Sequence, residues 1–138
     1  REDVVVIFAG YPDKMEIFLQ KNPGLRSRIA FHVPFADYTA DELCQIARLI
    51  GKDKGVALDD EALSKLKVIF DSASKQSDFG NGRYVRNILE QAKMNQASRL
   101  LEMDFDEITL DEISMIKAVD IMAPELQAPQ KRKIGFAC

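Results

Sequence analysis

Apolar positions run without interruption from Val4 to Ala9, mostly β-branched, and Gly10 closes the run. A run of this kind fits a strand of a parallel sheet covered on both faces. A second apolar segment, Phe31-His32-Val33-Pro34-Phe35, is the candidate returning strand; Pro34 lacks a ladder donor and keeps it short or at an edge. Between them, Pro12 suits the first position of a helix whose Met15, Phe18 and Leu19 share a face, and Asn22-Pro23-Gly24 signals its end. Residues 25 to 29 then form a short turn or helix carrying Arg26 and Arg28. Strand, helix and returning strand make about one βαβ unit.

From Thr39 onward the apolar spacing becomes helical. Thr39-Ala40-Asp41-Glu42 has the form of a capping box, followed by Leu43, Ile46, Ala47 and Ile50 on one face, with Gly51 or Gly55 as the stop. Asp59 caps a second helix with Ala62, Leu63, Leu66, Ile69, Phe70 and Ala73 on its inner face. The polar stretch from Ser72 to Gly82 reads as a loop. A third helix starts near Asn81 and turns Val85, Ile88, Leu89, Ala92 and Leu100 inward. Thr109-Leu110-Asp111-Glu112 introduces a fourth, with Ile113, Ile116, Val119 and Ile121 before Pro124. The pattern predicts a mostly α chain: the end of an α/β domain over residues 1–37, a four-helix module over 38–123, and a flexible tail over 124–138. Asp37 to Thr39 is the expected hinge.

A formal charge of −3 argues against a general nucleic-acid or anionic-membrane surface, which would need a basic field over a whole face. No apolar run approaches the ~20 residues that cross a bilayer. The cysteines, Cys44 and Cys138, have neither metal-ligand nor redox spacing, so a reducing, cytoplasmic setting is expected and no metal site. The start, Arg1-Glu2-Asp3 followed directly by a buried-type strand, reads as part of something longer.

The candidate chemistry lies in two arginine pairs. Arg83 and Arg86 follow Gly80-Asn81-Gly82 and fall in the first turns of the third helix, where unpaired N–H groups and the macrodipole make cations locally unfavourable. A nearby anion resolves this: Asp78, Glu90 or a bound phosphate. Arg26 and Arg28 follow the rigid Asn22-Pro23-Gly24 turn; salt bridges to Asp13, Glu16 or Asp37 account for them as surface groups, and a planar guanidinium offered to phosphate is the functional alternative. Gly10 and Tyr11 stand where a parallel strand delivers residues to a ligand-binding edge, although a tight strand exit explains them equally. Val68-Ile69-Phe70-Asp71 imitates a magnesium-binding strand but continues a helical face. Gly51-Lys52 lacks the other residues of a phosphate loop. His32, the single histidine, is expected on a strand rather than as a general base.

Val4 through Met15, Asn22 through Ile29, Phe35-Ala36-Asp37-Tyr38 and Gly80 through Asn87 together resemble, in order and spacing, the C-terminal part of AAA+ ATPases of the CbbX and stage V sporulation protein K type. The resemblance implies a P-loop AAA+ domain ending near residue 37 and a helical lid after it. It implies that Tyr11 stands at the sensor 1 position, where many AAA+ proteins carry Asn or Thr. Arg28 matches the arginine finger acting in trans, with Arg26 auxiliary. Arg83 matches sensor 2, with Arg86 close behind. It also implies ATP and magnesium in the intact protein, a ring of like subunits, commonly a hexamer, and a protein substrate remodelled by hydrolysis. The phosphate loop and the Asp-Glu strand of the family do not occur in these 138 residues, which are therefore expected neither to hold ATP tightly nor to hydrolyse it. A non-enzymatic helical adaptor and the lid of a DNA motor or loader are the competing readings.

Overall fold

The computed structural model describes residues 4–76 and 79–123. They divide into two compact units between Ala36 and Asp37. The expected tail after Pro124 lies outside the described residues.

In the first unit, α1 spans Pro12–Lys21, with Pro12 at its start, Asp13 in its first turn and Lys21 in its last. Leu19 is its buried residue, and Phe8 packs on Phe18 with ring centroids 5.8 Å apart. Asn22 ends the helix by donating its side-chain amide to the Phe18 carbonyl at 2.8 Å. A single turn, α2 (Pro23–Arg26), follows at once. The two strands expected here do not form. Val4–Ala9 and Phe31–Phe35 carry no ladder, and Val4, Val5, Val6, Ile7, Phe31, Val33 and Phe35 are exposed. A parallel strand has no hydrogen-bonding economy of its own, and the described residues of this unit offer it no neighbour. His32 sits on this exposed, unpaired segment.

The second unit is built on three long helices, α3 (Ala40–Asp53), α4 (Asp60–Ala73) and α5 (Gly82–Leu101). The capping box at α3 is complete: the Glu42 N–H donates to Thr39 Oγ1 at 3.3 Å, and the Thr39 N–H donates to Glu42 Oε2 at 2.8 Å. Asp59 Oδ1 accepts from the Ala62 N–H at 2.6 Å and starts α4. At the end of α3, Gly55 takes a φ of +72°, its N–H bonds to the Lys52 carbonyl at 3.1 Å, and the Val56 N–H returns to the Gly51 carbonyl at 2.9 Å. That is a Schellman closure, so Gly55 is the stop and Gly51 belongs to the helix. Leu43, Ala47, Ala62, Leu66, Phe70, Val85, Ile88, Leu89 and Ala92 interlock as the core. Val68 and Asp71 lie within α4, as their helical spacing requires.

The fourth helix is a correction. α6 covers only Leu110–Ser114, after which Met115–Ile116 (β2) pairs in parallel with Ala57–Leu58 (β1), and Ala118–Asp120 forms a 3-10 turn. Ile116 and Ile121 reach the core, whereas Ile113 and Val119 stay exposed. The cause is a polar network. Gln96 Nε2 donates to the carbonyls of Glu112, Ile113 and Met115 at 3.2, 3.0 and 2.8 Å, which withdraws those carbonyls from a continuing helix. Arg99 donates through Nε and Nη2 to the two oxygens of Asp120 at 2.8 and 3.0 Å, and through Nη1 to Glu112 at 2.7 Å. Asp120 is 1% exposed and also accepts the Lys117 N–H at 3.0 Å. Glu112 therefore does not reach back to Thr109, and the second expected capping box is only half made: Thr109 Oγ1 accepts from the Glu112 N–H at 3.2 Å.

Three stability outcomes are expected. Gly51→Ala places a Cβ 2.9 Å from the Val56 carbonyl oxygen, and thermal unfolding should show a loss of about 1–3 kcal/mol; Gly24→Ala, which meets nothing, should not. Asp120→Ala leaves Arg99 Nε and Nη2 without their acceptors and the Lys117 N–H without its own, and should cost about 3 kcal/mol in the same measurement. Lys117 and then Arg99 hold the Glu112 carboxyl below its ordinary 4.5, and the Thr39 N–H does the same for Glu42. A depressed carboxyl stabilises the fold above its unfolded value and loses that contribution as protons return, so melting temperature should fall below pH 4.5, less steeply in Glu112→Gln.

Candidate functional site

The first turn of α5 differs from every other helix start in the second unit. α3, α4 and α6 each carry acidic residues in the first turn and a side-chain cap; α5 has neither. Its start is a tight turn in which the Arg83 N–H donates to the Gly80 carbonyl at 3.0 Å. Gly80 has φ +81°, and Asn81 has φ +46° and ψ −118°, a backbone position that glycine fills freely. A side chain there stores about 1–3 kcal/mol of strain.

Asn81 is the N-terminal capping residue of α5, yet its side chain does not cap. Its Nδ2 donates to Asp37 Oδ1 at 2.6 Å, and its Oδ1 accepts the Tyr38 N–H at 2.9 Å. The turn that carries Arg83 is thus fastened to residues more than forty positions earlier. On the inner side of the same turn, Tyr84 lies between Phe79 and Phe70, with ring centroids 5.0 and 6.3 Å away, and burial pushes its phenol up. Arg83 and Arg86, one helical step apart, stay exposed. Neither has a carboxylate partner among the described residues. Glu90, one expected partner, instead faces Lys54 at 3.7 Å, and Asp78, the other, lies outside the described residues.

In the first unit the two arginines separate. Arg26 Nη1 lies 3.2 Å from Glu16 Oε1, both groups half exposed, which is the surface pairing considered from the sequence. Arg28 sits just past α2, its N–H bonded to the Leu25 carbonyl at 3.0 Å, its side chain exposed and without an ion pair among the described residues. Ser27 Oγ closes back on the Gly24 carbonyl at 3.2 Å and stiffens the turn between them. Tyr11 caps the start of α1 by position and is exposed. Cys44 is half-buried on α3; burial, then Asp41, pushes its thiol up, and no group of three His, Cys, Asp or Glu suited to a metal ion occurs among the described residues. No helix there is long and apolar enough to cross a membrane.

Residues 39–131 match the family model of the AAA lid domain. The chain belongs to that family. Its relatives make it an AAA+ lid of the CbbX type: it is 45% identical to Protein CbbX of Cereibacter sphaeroides over 100 residues, covering 72% of this chain and 32% of that protein. It is 42% identical to a Protein CfxQ homolog of Pyropia yezoensis over 126 residues, 91% of this chain and 42% of the relative. It is 38% identical to the chloroplastic ribulose bisphosphate carboxylase/oxygenase activase of Cyanidioschyzon merolae, over 91% of this chain and 43% of that protein. The chain spans between about a third and two fifths of the length of these curated relatives.

In the sequence Asn81 reads only as a turn residue, and the network around Arg99 has no local motif. The signal for the second was a polar Gln96 in register with Val85, Ile88, Leu89 and Ala92 on the buried face of α5. Because the Arg26–Glu16 pair of this AAA lid protein is half exposed, Glu16→Gln should change unfolding free energy by less than about 1 kcal/mol in urea titrations.

Proposed function

We propose that this chain furnishes an AAA+ ATPase ring with arginines that face a shared nucleotide from two subunits. Arg28 is the finger that reaches the terminal phosphate held by a neighbour, and Arg26 is its auxiliary. Arg83 is sensor 2 and contacts nucleotide on its own subunit, Arg86 stands behind it, and Tyr11 occupies the sensor 1 position. Residues 1–37 then close the nucleotide-binding domain, residues 38–123 are the lid, and Asp37 to Thr39 is the hinge between them. The exposed apolar run Val4–Phe8 is, in this reading, a strand whose neighbours come from the rest of the intact protein.

The observation that carries the proposal is the start of α5: a helix N-terminus without a side-chain cap or acidic residue, bearing two guanidinium groups that no carboxylate of the described residues meets. A positive helix end with added cations is unfavourable by itself, at about 0.3–1 kcal/mol per charge, and becomes favourable beside an anion. The donor set fits the phosphate end of ATP; these cationic groups do not ligate its magnesium. The bound nucleotide supplies the phosphoryl group that is transferred to water, and the charge that develops on its oxygens is what Arg28 and Arg83 neutralise. Arg83 binds and orients from the lid, so a lid movement alters its grip. The name ribulose bisphosphate carboxylase/oxygenase activase, carried by one relative, supports a protein substrate for the intact ring.

In the intact protein, Arg28→Ala should lower hydrolysis by about 10³–10⁵ in phosphate-release assays, with nucleotide affinity retained. Arg83→Ala should weaken nucleotide binding measured by calorimetry. Mixed rings should recover hydrolysis when Arg28→Ala subunits sit beside subunits with a normal finger; failure to do so would remove the in trans assignment. The 138-residue chain by itself should show no magnesium-dependent turnover.

A further inference from the structure

Asn81 combines three observations that no single structural role unites. It holds a backbone position suited to glycine, with φ +46° and ψ −118°. Its carbonyl accepts the Val85 N–H at 3.2 Å, so its main chain belongs to the first turn of α5. Its side chain leaves that turn unserved and spends both its donor and its acceptor on Asp37 and the Tyr38 N–H. Those two residues immediately precede Thr39, the cap of α3, and follow directly on Ala36, where the first unit ends. A capping role would aim the amide oxygen at the N–H groups of α5. A turn role alone would favour glycine, which the flanking Gly80 and Gly82 already are.

We infer that Asn81 is a positioning residue for Arg83: its carboxamide latches the chain segment leading into the helical unit to the turn that aims Arg83, so that segment and guanidinium move as one piece. The inference rests on the reading of Arg83 as a nucleotide contact. Arg83 is two residues beyond Asn81, its N–H is held by the Gly80 carbonyl, and Tyr84 beside it is wedged against Phe79 and Phe70. A displacement of Asp37 or Tyr38 therefore has little slack to be absorbed in before it reaches the Arg83 backbone. The bond to Asp37 is charge-assisted, which makes the latch one of the stronger single links of its kind.

The experiment uses the intact protein, ADP with magnesium as the probe, and five variants. Asn81→Gly keeps the turn and relieves its strain while deleting the latch, so melting temperature should hold. ADP affinity should nevertheless fall roughly tenfold, on the scale of one charge-assisted hydrogen bond, and the Tyr38 amide should lose hydrogen-exchange protection. Asn81→Asp sets two carboxylates against each other and should also weaken binding. The exchanged pair Asp37→Asn with Asn81→Asp restores a donor opposite an acceptor and should recover both affinity and protection. Combined with Arg83→Ala, Asn81→Gly should add no further loss, because the latch acts through that arginine. Unchanged ADP affinity in Asn81→Gly, alongside a clear loss in Arg83→Ala, overturns the latch and leaves the reading of Arg83 standing. Unchanged affinity in Arg83→Ala overturns that reading, and the latch with it.

Discussion

The ion pair between Arg99 and Asp120 is the constraint on which the helical unit depends. A charge as deeply covered as Asp120 is costly unless each of its oxygens is served, and here both are: Arg99 takes one with Nε and the other with Nη2, and the Lys117 N–H joins the second. Arg99's remaining arm holds Glu112. The result is that the returning segment after α6 is pinned along α5 in one register. That register brings Met115 and Ile116 beside Ala57 and Leu58, closes Ile116 and Ile121 over the core, and lets Lys65 Nζ reach the Ala118 carbonyl at 2.9 Å. Removing the pair would free the segment whose apolar residues complete the core.

The same helix is fixed at its other end by Asn81. Its 20 residues run about 30 Å, from a start tied to Asp37 and Tyr38 to an end tied to Asp120 and Glu112. Along its length Val85, Ile88, Leu89 and Ala92 are buried. A rod held in this way has little freedom to rotate about its axis, so the direction in which Arg83 and Arg86 project is set by the whole unit rather than by their own surroundings. In the proposed nucleotide contact, that pre-set direction lowers the ordering needed on binding. The first unit presents Arg28 differently, on a short stiffened turn at the surface, as suits a group offered outward.

Much of this was written locally. Thr39 and Glu42, Asp59, Pro12, Asn22 and Gly55 act within a few residues of themselves, and their geometry follows from backbone groups that any helix end leaves unpaired. The apolar faces of α3, α4 and α5 were legible for the same reason, since a period of 3.6 needs no knowledge of the partner. Arg83 and Arg86 could be singled out from the sequence because a cation at a helix start conflicts with the local dipole whatever else surrounds it, and Arg26 and Arg28 because they follow the rigid Asn22-Pro23-Gly24 turn. What went wrong did so where a distant group outbid the local one. Glu112 was assigned to Thr109, three residues away, and went to Arg99 and Lys117. Ile113, Ile116, Val119 and Ile121 have helical spacing, and Gln96 took the carbonyls that a helix needed. Val4 to Ala9 has the composition of a covered strand, but composition cannot supply the neighbours that make one.

The sequence by itself therefore determined the starts of α1, α3, α4 and α5, the mostly α character, the family and the residues with unanswered charge, because each depends on short-range periodicity, capping or the order of short motifs. Tertiary structure decided which polar groups meet across more than a few residues: Asn81 with Asp37 and Tyr38, Arg99 with Asp120, and β1 with β2. Those partners are chosen by the packing of α3, α4 and α5 against one another, a property of three faces at once that no window along the chain contains.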